Sequence, residues 1–248
     1  MRWAVAVAGL ALAASCGAAS DITSAVAVPV AAGAPSGTSA AGTSAAAGAR
    51  GTAGPTATPA PAVAALAKLP VKGRAPTTGY SRGQFGPAWA DTDRNGCDQR
   101  NQVLGRDLTN VRYRPAPRPC VVLSGVLHDP YTGDTVAFTR GQGTSDKVQI
   151  DHVVSLSDAW QTGAQQLDAS TRELLATDPL NLLAVEGVVN QAKGDGDAAT
   201  WLPPAKDYRC TYVARQVAVK TRYRLWVTAA ERDAIARVLT ACPGQPLP

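Results

Sequence analysis

The sequence predicts an α+β domain carried behind a long low-complexity segment. Three observations point that way. Residues 17–77 are mostly Ala, Gly, Ser, Thr and Pro, with no charged residue between Ile22 and Ala49. Beyond them, short runs rich in Val and Leu alternate with short helical patterns. The four cysteines of that second part, Cys97, Cys120, Cys210 and Cys242, form an even set. A stretch without large side chains cannot offset the entropy of ordering, so 17–77 reads as a linker or stalk. Residues 78–242 are enough for one hydrophobic core, with 243–248 as a tail.

At the start, Met1-Arg2 precedes an apolar run from Trp3 to Ala14 and then Ser15-Cys16-Gly17, the pattern of a signal peptide over 1–16. The run is well short of the roughly 20 residues that cross a bilayer, so export is expected and not a membrane span. Leu12-Ala-Ala-Ser-Cys16 resembles a bacterial lipobox with its Leu displaced by one position. Lipidation at Cys16 and ordinary secretion both stay open.

Within the folded part, Gln99 to Leu108 reads as a short helix. Val121–Leu127 and Thr135–Phe138 read as a hairpin around Asp129-Pro-Tyr-Thr-Gly-Asp134, whose Pro and Gly are turn formers. Val148–Val154 is a further strand. Short helices follow at Ser157–Gln161 and Ser170–Ala176, then a brief strand at Leu182–Val185 and a helix at Glu186–Lys193 that stops at Gly194. Tyr208–Tyr223 has helical apolar spacing, and Thr228-Ala-Ala-Glu231 is a capping box that starts a last helix over about 229–241. Four cysteines allow three pairings. Cys97–Cys120 with Cys210–Cys242 is preferred, because an antiparallel pair of helices brings Cys210 and Cys242 together. Zinc is disfavoured: there is no C-x-x-C, and the chain has two histidines.

The net charge is +5. Lys206, Arg209, Arg215, Lys220, Arg222 and Arg224 crowd one segment against a single Asp207, which suits either a phosphate backbone or a solvated helix face. Asp91-x-Asp93-x-Asn95-Gly96 opens like a calcium loop, but Gln102 stands where a bidentate Glu is needed, so a structured turn is the expectation.

The chemistry concentrates at Gln149-Ile-Asp-His152, Asp178-Pro-Leu-Asn181 and Asn190-Gln-Ala-Lys193. Hydrolysis of a phosphodiester needs a base that is neutral near pH 7, and histidine suits it. It also needs a hard cation to hold the charge that builds on oxygen, and such cations take carboxylate and amide oxygens. Neighbouring residues of a strand face opposite sides. Asp151 and His152 can therefore share a site only where the strand ends or bends.

These motifs, with Asp91-x-Asp-x-Asn-Gly-Cys-Asp98, Trp201-Leu-Pro-Pro204 and the Cys210-to-Cys242 tail, resemble the HNH (His-Me finger) endonucleases. Within these the pattern is similar to the subfamily of the C-terminal domain of GmrSD-type restriction enzymes. The resemblance implies a ββα-metal core with an additional hairpin and a C-terminal helix pair. It further implies His152 as general base, Asp151 and Asn190 as metal ligands, and Asn181 as a catalytic residue that braces the loop or orients His152. Lys193 and Arg100 become candidates for substrate phosphate. The implied cofactor is a divalent metal, Mg²⁺ first and Mn²⁺ second. The expected protein is a monomeric, exported endonuclease acting on DNA, or nucleic acid generally, with low sequence specificity. A binding module on a nuclease scaffold without turnover is the alternative.

Overall fold

The structure, a computed structural model, describes residues 61–248. The signal peptide, Cys16 and linker residues 17–60 lie outside the described residues.

Helix α1 (Ala62–Leu66) is the first element of the described residues. α2 (Gln99–Asp107) is capped by the Asp98 carboxylate, which accepts from the Asn101 amide. It leads without a break into β1 (Leu108–Tyr113), which pairs antiparallel with β2 (Val122–His128), and β2 pairs in turn with β3 (Thr135–Thr139). Gly125 of β2 sits where a Cβ would lie 3.1 Å from the Leu108 side chain and 3.2 Å from the Thr109 carbonyl, so the close approach of β1 favours glycine.

A second antiparallel pair joins β4 (Val148–His152) to β5 (Leu182–Glu186), with Ile150 opposite Ala184 and His152 opposite Leu182. Both strands are buried along most of their length, which is why they read as continuous apolar runs instead of alternating ones. Between them run α3 (Leu156–Gln161) and α4 (Ala169–Thr177). β5 passes directly into α5 (Gly187–Lys193), and α6 (Arg209–Arg222) and α7 (Ala229–Leu239) close the fold. At Gly187 a Cβ would fall 2.0 Å from the Asp146 carbonyl, so only glycine lets α5 start against the turn before β4.

One core gathers α1, α6 and α7 around Tyr131 and Tyr212. A second packs Phe85, Trp160 and Leu175, and a third lies between α2, β2 and the β4–β5 pair. Both disulfides form in the preferred pairing: Cys97–Cys120, and Cys210–Cys242 across α6 and α7. The capping box at Thr228 and Glu231 is present.

Three boundaries differ from the sequence reading. The packed body begins by residue 61, not 78: Ala62, Ala65, Leu66 and Leu69 are buried in the first core. The Lys72 amide donates to the Val227 carbonyl and the Val227 amide to the Pro70 carbonyl, both at 3.0 Å. Small residues hide this packing, since alanine composition alone resembles linker. The tail is also tied down, with Leu247 against that core, Pro61 bridged to Pro246, and the Ala62 amide donating to the Gln245 carbonyl at 2.8 Å. Finally, the chain turns extended at Leu108 and forms β1, a strand whose polar sequence carries no alternation.

Candidate functional site

β4 ends at His152. Asp151, His152 and Asn190 all line one cleft of about 370 Å³, together with Tyr80, Arg82 and Asp195. The strand still sends the two neighbours apart. Asp151 turns toward α5 and the β2–β3 turn, and His152 toward α4.

His152 is fixed by its Nε2, which lies 2.9 Å from the Ala176 carbonyl at the end of α4. A carbonyl only accepts, so Nε2 carries the proton and Nδ1 keeps a lone pair. No hydrogen bond engages Nδ1 among the described residues. Desolvation lowers the pKa of the ring from 6.5 to about 4, against the opposing pull of the Ala176 carbonyl and Asp151; the charges of Arg82 and Lys193 lower it further. The imidazole is therefore neutral at pH 7, as a base must be.

Asn181 is fully buried, and none of its side-chain hydrogen bonds among the described residues goes to the His152 ring. Its Oδ1 accepts from the Val154 amide at 2.8 Å, and its Nδ2 donates to the carbonyls of Val154 at 3.2 Å and Leu175 at 3.4 Å. Val154 lies two residues after His152, and Leu175 immediately precedes its carbonyl partner. Asn181 thus joins the two backbone segments that hold the ring.

The Asp151 carboxylate is 5% exposed. Oδ2 accepts from the Tyr131 hydroxyl at 2.6 Å and Oδ1 from the Lys193 ammonium at 2.9 Å. Tyr131 is wholly buried, and burial, followed by the charge of Asp151, raises its pKa well above 10, so it stays a donor. Each carboxylate oxygen retains acceptor capacity. Asn190 donates its amide to Gln149 Oε1 at 2.9 Å, which leaves its own Oδ1 without a partner among the described residues. A carboxylate and an amide oxygen beside one cleft suit a hard divalent cation. The ammonium next to Asp151 competes with that cation.

Two phosphate candidates turn inward instead. Lys193 has no exposed side-chain surface and also donates to the His152 carbonyl at 2.9 Å, bracing the end of β4. Arg100 donates to the carbonyls of Ser145 and Val148 and covers the Trp89 ring, so it braces the start of β4. Much of the basic segment is likewise used internally. Lys220 is buried among carboxylates, Arg222 pairs with Asp178 at 2.7 Å, and Arg215 donates to the carbonyls of Pro179, Leu180 and Leu182.

Sequence reasoning missed Tyr131, which it read only as part of a turn, and Arg82. It also missed a buried ion network. Asp158, Asp197 and Glu231 bring carboxylate oxygens within 4.8 Å of one another. Arg74 pairs with Asp158 and Asp197 at 2.9 and 2.7 Å, and Lys220 with Asp158 and Glu231 at 3.0 and 2.7 Å. Two cations already stand where a metal would, so this cluster is structural. Burial pushes the Glu231 pKa up to about 7 despite Lys220. For Lys220, burial pulls the pKa down, but Asp158 and Glu231 outweigh it and raise it. No signal in the sequence joins residues so far apart.

An uncharacterized secreted protein of Arthroderma benhamiae is 41% identical over 179 residues, covering 71% of this chain and 82% of its own. No solved structure matches. The model for the C-terminal domain of GmrSD restriction endonucleases matches residues 98–238, which contain β4, β5, α5 and every residue of the cleft except Tyr80 and Arg82. The chain belongs to the family of GmrSD restriction endonuclease C-terminal domains.

Proposed function

We propose that the protein is an exported, metal-dependent endonuclease of the HNH type, with β4, β5 and α5 as its ββα-metal core. One observation carries the reading: His152 presents a neutral ring whose protonated nitrogen is held by Ala176, in a cleft that also holds Asp151 and Asn190.

In this mechanism His152 Nδ1 takes the proton from the attacking water. Asn181 fixes the backbone on both sides of the ring, so the lone pair does not wander. Asp151 and Asn190 would hold the divalent ion, with Mg²⁺ the first choice for an all-oxygen donor pair. When bound, that ion stabilises the charge developing on the phosphate and leaving oxygens. Tyr131 and Lys193 orient Asp151 from inside. The substrate is DNA or nucleic acid generally, with low sequence specificity, because nothing in the sequence resembles a base-reading module beside the nuclease core. The two disulfides, the secreted relative and the apolar start of the sequence all support action outside the cell.

Lys193 favours a second reading. Its ammonium, 2.9 Å from Asp151, can stand in for a cation and leave a binding module without turnover. Incubating the protein with supercoiled plasmid in Mg²⁺ or EDTA, beside His152→Ala, separates the two. Metal-dependent nicking lost in the variant supports the enzyme. Plasmid, single-stranded DNA and RNA left intact in Mg²⁺, Mn²⁺ and Ca²⁺ would refute it.

A further inference from the structure

The hydrolytic chemistry gives Arg82 no role, yet with the His152 ring neutral it is the one cation among the residues lining the cleft. Its Nη1 donates to the carbonyls of Phe85 at 3.4 Å and Gly86 at 3.0 Å, closing the 3₁₀ turn Arg82–Phe85 on itself. Nη2 and Nε have no partner among the described residues. Asp151 and Asp195 border the same cleft, but neither pairs with Arg82: Asp151 is taken by Tyr131 and Lys193, and Asp195 accepts from the Ser157 hydroxyl at 3.2 Å. Lys193, Lys220, Arg74 and Arg222, by contrast, all have carboxylate partners.

The turn that carries Arg82 is held firmly. Phe85 is fully buried against Trp160, with ring centroids 6.3 Å apart. Arg172 of α4 donates to the Gln84 carbonyl at 2.8 Å. Gly86, at φ 75°, lies against the Glu173 side chain of the same helix, where a Cβ would come within 2.9 Å of it. The end of α4 supplies the Ala176 carbonyl that holds His152. One helix therefore sets both the neutral nitrogen base and an unpaired guanidinium at the rim of the same cleft. A guanidinium whose planar donors are unsatisfied is matched to the oxygens of a phosphodiester.

We propose that Arg82 is the phosphate-binding residue of the cleft, gripping the non-bridging oxygens of the nucleic-acid backbone beside His152. This rests on the nuclease reading and adds the group that recognises the substrate. It also moves that recognition away from Lys193 and Arg100 to a residue outside the 98–238 family match.

The test is binding of a dye-labelled single-stranded oligonucleotide to the full chain in EDTA, followed by anisotropy over a range of salt. Arg82→Gln removes the charge but keeps an N–H donor for the turn. Arg82→Lys keeps the charge and loses the fork. Arg112→Gln, on the exposed edge of β1, is the control, and melting curves confirm that each variant is folded. Arg82→Gln should bind about tenfold more weakly, with the salt slope reduced by about 0.7, the loss of one phosphate contact on a single strand. Arg82→Lys should retain the slope, and Arg112→Gln should bind as the wild type does. Equal affinity and equal slope in wild type and Arg82→Gln would overturn the inference, as would a wild type that binds no oligonucleotide at low salt. Nicking in Mg²⁺ separates it from the reading beneath it. If Arg82→Gln weakens binding while the wild type cuts nothing, the hydrolytic reading fails and the phosphate site stands. Wild-type cutting that survives unchanged in Arg82→Gln defeats the site alone.

Discussion

Replacing Asn181 with alanine should cost both stability and turnover, and the structure sets the size of the effect. The side chain is fully buried and is the sole hydrogen-bond partner of the Val154 amide and carbonyl among the described residues. Without it, two buried backbone groups lose their partners at about 1–3 kcal/mol each. A water entering the vacated space would offset part of this, so the expected loss is about 3 kcal/mol. For a body of this size each kcal/mol moves Tm by roughly 2–4 °C, which predicts a drop of about 6–12 °C by calorimetry. Function gives a sharper readout, because Asn181 joins Val154 to Leu175 on either side of the His152 clamp. Since the chain has two histidines, the ¹⁵N shifts of His152 are separable from those of His128. The wild type should show the single tautomer protonated at Nε2. Asn181→Ala should show mixed tautomers, with nicking at least tenfold slower well below its melting point. A Tm change under 2 °C, or an unaltered tautomer, would refute the bracing argument.

Other outcomes follow from the same geometry. The pKa of His152 is depressed from 6.5 to about 4, so the neutral base persists down to that pH. The acid limb of kcat/KM should fall near pH 4, and a break near 6.5 would mean the ring is not desolvated. The same shift makes His152 a stability term present above pH 6.5 and lost as the pH falls from there toward 4. Glu231 runs the other way. Its pKa is raised to about 7, so its contribution is fullest below pH 4.5 and is lost as pH rises through 7. Glu231→Gln should flatten the pH dependence of Tm between 5 and 8, and an unchanged curve would count against the raised carboxyl. Lys220→Met strands Asp158 and Glu231 without their shared cation, at a cost of about 3–5 kcal/mol in denaturant unfolding at pH 8; a loss below 1 kcal/mol would show that the network is not tightly paired. Reducing Cys210–Cys242 frees a 32-residue span, and the paired serine variant should lose about 3 kcal/mol in the same assay, whereas a loss under 1 kcal/mol would show that α6 and α7 hold without it.

How much of this was legible in the sequence depended on range. The α5 helix and its Gly194 stop, the Thr228 capping box and the hairpin around Asp129 are written in neighbouring residues, and they stand close to where the sequence puts them. β1 was hidden because Leu-Thr-Asn-Val-Arg-Tyr has no apolar alternation; it is a strand because β2 offers it an edge. The helix at Ala62–Leu66 was hidden because alanine carries no side-chain signal of burial. At the site, Asp151, His152 and Asn190 could be read from one strand end and one helix, and they do line one cleft. What each of them touches could not be read. Tyr131 reaches Asp151 from a hairpin turn, Ala176 offers only a carbonyl, and Arg82 arrives from a loop 70 positions upstream of His152. The misassigned Lys193 shows the same limit. Its charge is evident in sequence, but whether a charge faces solvent or a buried carboxylate depends on chain segments far away.

The bridge between Pro61 and Pro246 makes the described body nearly circular. Its two ends meet on one face through backbone hydrogen bonds, so a short peptide could join them and the chain could be opened elsewhere. The exposed run from Arg114 to Pro119, between β1 and β2, is the natural place to cut. A permuted body starting there would keep both sheets and α5 intact, and would allow cargo or a surface anchor to be attached away from the seam between Pro61 and Pro246.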